Sequence, residues 1–149
     1  MKQSNSILNK LWITLPALSQ NESACRAMVG AFLAQLNPSI DELADMKCVV
    51  SEAVTNSIVH AYPDATADAP GMIYIQVTLY QSRKVKITVR DRGCGIKDID
   101  MAKTPLFTTD PKGERSGMGF AVMENFTDRL VVSSKVGHGT AVYMYKSLK

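Results

Sequence analysis

The sequence predicts an α+β fold: a two-layer sandwich of one antiparallel or mixed sheet with its helices on one face, built as a single domain over residues 1–149. Two observations predict it. After a short N-terminal segment, helical and strand-like stretches follow one another as helix, helix, strand pair, turn-rich segment, short helix, strand pair. A chain of 149 residues, 46% hydrophobic and 21% charged, also falls within the range of one globular domain that buries about two-thirds of its unfolded surface in a single core.

Residues 8–15 (LNKLWITL) mix β-branched and aromatic side chains and stop at Pro16, so they read as a first strand or, equally, as an irregular arm. Asn21 or Ser19 can cap a helix through Ala34, with Ala27, Met28, Ala31, Phe32 and Leu36 at helical spacing, before Asn37 and Pro38 end it. Ser39 and Glu42 make the S-x-x-E capping box of a second helix that runs to about Ala61. Its core face is Met46, Val49, Val50, Ala53, Val54, Ser57 and Ile58. Glu52, Asn56 and His60 stand four apart on a neighbouring stripe. Residues 63–71 (PDATADAPG) are a loop, and strands 72–80 and 84–90 form a hairpin around a turn at 81–83. Residues 93–119 are turn-rich and too long for a plain connector, the mark of a lid or binding loop. A short helix over 120–126 and strands 130–134 and 140–145 complete the chain.

Composition excludes several function classes. The longest apolar runs are only a few residues, far short of a membrane span, and the N-terminal MKQSNSILNK lacks the apolar stretch of a signal peptide, so a cytoplasmic protein is expected. Cys25, Cys48 and Cys94 are odd in number and far apart, which fits free thiols and neither a disulfide framework nor a CxxC metal site. An excess of 17 Lys and Arg over 14 Asp and Glu, without a block of like charge, disfavours nucleic-acid binding and leaves acidic protein partners open.

Four short motifs carry possible chemistry. DRGCGI, residues 91–96, follows a strand and combines an acceptor, Asp91, with Gly93 and Gly95, which let backbone approach a ligand; alone, it is also an ordinary turn. RSGMGF, residues 115–120, sets Gly117 and Gly119 at a helix start, where free N–H groups and the dipole attract phosphate, with Arg115 and Lys112 nearby; such glycines also serve plain packing. Neither stretch is a Walker A or Rossmann fingerprint. Glu52 and Asn56 read alone as a solvated stripe. Read functionally, the amide oxygen of Asn56 is a hard ligand for Mg²⁺ and the Glu52 carboxylate can take a proton from an attacking hydroxyl. GHGT, residues 137–140, precedes the last strand.

In that order, E-x-x-x-N, D-x-G-x-G, G-x-G and G-x-G-T resemble the ATP-binding (Bergerat) fold shared by gyrase, the Hsp90 chaperone, histidine kinases and MutL. Within it the chain is similar, over nearly its whole length, to the sporulation anti-sigma F family of bacterial serine kinases, through ALSQNESACR, SEAVTNSIVHAY, DRGCGI, PLFTTDPKGERSGMGF and GHGT. It departs from that family in a longer 63–71 loop and in Arg92, where an acidic residue is common.

The resemblance implies a role for each matching position. Asp91 would accept the adenine amino group with Thr140 supporting it through a water, while Gly93 and Gly95 would pack closely on the base. Asn56 would hold Mg²⁺, Gly117 and Gly119 would donate backbone N–H to phosphates, and Arg115 would contact the γ-phosphate. Glu52 would be the general base, and residues 97–116 the lid, with Thr108 and Thr109 near its phosphate end. The implied partners are ATP or ADP, sigma factor F, an anti-anti-sigma factor phosphorylated on serine, and a second copy of the chain in a homodimer; Arg26 would lie on the surface both protein partners use. Two other readings stand beside this one: a nucleotide-dependent sequestering protein with negligible kinase activity, and a histidine-kinase-type ATP-binding module.

Overall fold

The computed structural model describes residues 5–104 and 118–149. Five strands, β1 (Ile7–Pro16), β2 (Met72–Tyr80), β3 (Lys84–Asp91), β4 (Arg129–Lys135) and β5 (Gly139–Ser147), form one sheet in the order β1-β2-β3-β5-β4. All four pairings are antiparallel, so the sheet is antiparallel rather than mixed. The physical reason lies in the connections: β2–β3 and β4–β5 are tight hairpins, and the long helical excursions bring the chain back reversed.

The period-2 pattern of each strand assigns the two faces. Ile13 pairs with Ile75, Val77 with Ile87, Ile87 with Met144 and Val89 with Val142, all buried on the helical side. The opposite face is polar and aromatic, with Lys86 lying 5.4 and 5.6 Å from the ring centres of Tyr143 and Tyr145.

Against the inner face lie α1 (Asn21–Leu33), α2 (Ile40–Asn56) and α4 (Gly119–Phe126). The predicted capping box starts α2: the Ser39 N–H donates to Glu42 Oε2 at 2.9 Å and the Glu42 N–H to Ser39 Oγ at 3.1 Å. Met46, Val49, Val50, Ala53 and Val54 are its buried stripe, as the spacing requires. The helix then widens into a π-turn, Ser57–Ala61, which periodicity does not signal.

For α1 the predicted stripe is rotated. Cys25, Val29, Gly30 and Leu33 are buried, whereas Ala27, Met28 and Ala31 face solvent. Turning Val29 and Leu33 inward removes more apolar area from water than burying alanines would. The N-cap is Gln20, without a side-chain bond, and Asn21, the first residue of α1, donates its side-chain NH₂ to the Pro16 carbonyl at 2.9 Å. A short helix not foreseen in the turn-rich stretch, α3 (Ile99–Lys103), is capped by Asp98, which accepts from the Met101 N–H at 3.0 Å. Lys103 of α3 pairs with Glu124 of α4 at 2.8 Å. Among the described residues no helix is long and apolar enough to cross a membrane.

Candidate functional site

The C-terminal ends of α2 and β3, the start of β5 and the start of α4 meet at one end of the sheet. They enclose a cleft of about 1240 Å³, large enough for a nucleoside triphosphate. The polar stripe that runs from α2 into the π-turn faces this cleft: Glu52, Asn56 and His60 all line it. At its far wall is Gly119, where an added Cβ would sit 3.0 Å from Glu52 Oε2 and 3.4 Å from Asn56 Oδ1. The acid and the amide are thus held together at the first turn of α4, where helix geometry leaves N–H groups for an anion.

Asp91, the last residue of β3, is 6% exposed and lines the other end of the cleft. Its Oδ1 accepts the N–H of Gly93 at 3.0 Å and of Thr140 at 3.2 Å, and its Oδ2 accepts the Ser57 hydroxyl at 3.0 Å. Thr140 therefore supports the carboxylate directly through its backbone. Its hydroxyl lies 2.8 Å from Ser134 Oγ, which also accepts the Ile96 N–H at 2.7 Å. Gly93 and Gly95 are required by close approach within the chain: a Cβ at Gly93 would fall 2.1 Å from the Ala61 carbonyl oxygen, and one at Gly95 would fall 2.4 Å from that of Lys135. Ala61 is the last residue of the π-turn, and the Cys94 N–H donates to its carbonyl at 2.7 Å.

Tyr62, next along the chain, clamps this end of the sheet. Its hydroxyl donates to the Met72 carbonyl at 2.6 Å and accepts the Arg92 N–H at 2.8 Å, while Gly71 lies flat on its ring. Burial pushes the phenol above its ordinary value of 10.0. Arg92 itself turns away from the cleft and stacks on Tyr74, 4.8 Å from the ring centre.

On the outer side of the cleft, Arg26 of α1 pairs with Glu22 at 3.2 Å and reaches Ser51 Oγ at 3.5 Å. Glu22 and Ser51 line the cleft mouth, so Arg26 stands beside the helix that carries Glu52. Among the described residues no group of three or more His, Cys, Asp or Glu side chains can hold a metal by itself. Thr108, Thr109, Arg115 and Gly117, with most of the expected lid, lie outside the described residues.

Residues 15–146 match the histidine kinase-like ATPase domain family. A protein named Anti-sigma F factor from Priestia megaterium is 49% identical over 140 residues, covering 94% of this chain and 93% of that one. The chain belongs to the anti-sigma F factor family. An Anti-sigma F factor of Geobacillus thermodenitrificans is 51% identical over 140 residues, again across 94% of this chain and 93% of the other. The same fold recurs in a Mycobacterium tuberculosis protein solved with its RsbU and RsbW domains, at a TM-score of 0.68 and 23% identity, over 94% of this chain and 32% of that one. The Mycobacterial sensor histidine kinase MprB shares it at a TM-score of 0.55 and 16% identity, over 72% of each chain. Membership of an ATPase domain family implies that this chain binds a nucleotide.

Three site residues escape sequence reasoning: Ser57, Tyr62 and Ser134. Ser57 does leave a signal. A hydroxyl on the core stripe of a helix must find a partner once buried, and here that partner is the aspartate of D-x-G-x-G.

Proposed function

We propose that this anti-sigma F family member is an ATP-dependent serine kinase that also sequesters a sigma factor. Glu52 and Asn56 converging on Gly119 inside the cleft is the observation that carries the reading. The residues fit a magnesium nucleotide: Asn56, which lines the cleft, would offer the ion one hard oxygen. When bound, the ion supplies charge neutralisation for the transferred phosphoryl group.

The chain's own residues do the remaining work. Asp91 accepts the exocyclic amino group of adenine. The first turn of α4, with Gly117 before it, donates N–H groups to phosphate oxygens. By the family resemblance, Arg115 would balance charge at the γ-phosphate, and Thr108 and Thr109 would contribute from the lid. Glu52 takes the proton of the substrate serine hydroxyl as the serine oxygen bonds to the γ-phosphorus and the bond from that phosphorus to the ADP oxygen breaks. An anti-anti-sigma factor is the serine substrate and sigma factor F the sequestered partner. Both dock on the Arg26 surface, so that one displaces the other; a homodimer of this chain in the cytoplasm is the acting species.

The test is transfer of label from γ-labelled ATP to a purified anti-anti-sigma factor. Wild type should label one serine, and Glu52→Gln should lower the rate about 10²- to 10⁴-fold while ATP still binds. If ATP binds, sigma factor F is captured, and no label appears with the wild type, the kinase assignment fails and the nucleotide serves a sequestering protein.

A further inference from the structure

We propose that Ser57 is a positioning residue for base selection, holding the Asp91 carboxylate in the rotation that turns one acceptor of Oδ2 toward the base. This rests on the reading of the cleft as an adenine-nucleotide site. An ionised carboxylate has about four acceptor positions. Among the described residues three are taken: Oδ1 accepts from Gly93 and Thr140, and Oδ2 accepts from Ser57. The open acceptor therefore belongs to the oxygen that Ser57 holds.

The two backbone donors meet on a single oxygen, about which the carboxylate can still pivot. The Ser57 bond at 3.0 Å removes that freedom, between residues that are each 6% exposed and both line the cleft. Because the serine hydrogen is committed to Asp91, this pair turns only acceptors to the recess, Asp91 Oδ2 and the lone pairs of Ser57 Oγ. A purine with a 6-amino donor fits such a recess; one with a 6-oxo group would face acceptor against acceptor. Consecutive residues thus divide the site, Asn56 serving the phosphate end and Ser57 the base end, where α2 passes into the π-turn.

Calorimetric binding of ADP and of purine riboside diphosphate, which lacks the 6-amino group, separates this role from a merely structural one. Wild type should prefer ADP. Ser57→Ala should weaken ADP about tenfold, the scale of one hydrogen bond to a charged group, and leave the analogue nearly unchanged, so that the preference shrinks. Ser57→Thr should restore it, and Ser57→Cys, which keeps the volume and weakens the donor, should compress it as alanine does. An unchanged ADP-to-analogue ratio in folded Ser57→Ala and Ser57→Cys overturns the proposal alone, as does equal weakening of both ligands. Wild type that binds neither ligand overturns the nucleotide reading and the proposal with it.

Discussion

Replacing Tyr62 by phenylalanine removes one oxygen atom and two hydrogen bonds. The Met72 carbonyl loses its donor at 2.6 Å, and the Arg92 N–H loses its acceptor at 2.8 Å. At about 0.5–1.5 kcal/mol net for each, the expected loss is about 2 kcal/mol. For a chain of this length that corresponds to a fall in Tm of about 4–8 °C. Phenylalanine keeps the ring on which Gly71 lies, so the packing survives. Tyr62→Ala removes the ring as well and should bring the total loss to about 3–5 kcal/mol. Thermal and urea unfolding followed by circular dichroism measure both variants, and unchanged m-values would show that the comparison is of native-state stability. Arg92 adjoins Asp91, so Tyr62→Phe should also weaken ADP binding a few-fold. A Tyr62→Phe protein melting within about 1 °C of wild type would refute the clamp, and so would equal losses for the two variants.

The other predictions concern thiols, acid stability and close packing. Exposed Cys94 should react fast with a thiol reagent, half-buried Cys48 more slowly, and Cys25 only on unfolding, because burial and then the Glu22 carboxylate push its thiol up to about 11. ADP should protect Cys94, which lines the cleft; Cys25 reacting at native rates would contradict its placement. The Glu42 carboxyl is held below its ordinary value of 4.5, first by the Lys149 backbone N–H and then by that of Ser39. Its stabilisation is therefore complete above pH 4.5 and fades as pH falls through the lower folded value. Glu42→Gln should be less stable at neutral pH by about 1 kcal/mol, the scale of a helix cap, with the gap narrowing as pH falls below 4.5; a gap that stays constant as the carboxyl is titrated would count against the linkage. Gly93→Ala, with its Cβ 2.1 Å from the Ala61 oxygen, should destabilise by about 1–3 kcal/mol or more and abolish ADP binding. ADP affinity at the wild-type level would show that the π-turn yields freely.

Local rules were enough for much of this protein. The capping box and the 3.6-residue stripe identify α2, and alternation identifies β2, whose ends agree with the sequence reading. The order of E-x-x-x-N, D-x-G-x-G, G-x-G and G-x-G-T points to the ATPase fold and, with the longer matches, to the family. Each of these signals depends on spacing of a few residues, which a helix or strand turns directly into geometry.

What only the tertiary structure decided is who partners whom. Ser57 and Asp91 are 34 residues apart and Asp91 and Thr140 are 49 apart, so no local spacing announces either bond. The buried face of α1 was likewise chosen by what packs beside it, since either stripe satisfies a helical period while only one turns Val29 and Leu33 inward. Backbone periodicity is a near-neighbour property. Satisfaction of a buried hydroxyl or carboxylate depends on which distant segment folding delivers to it, and here folding delivers Ser57 and Thr140 to Asp91.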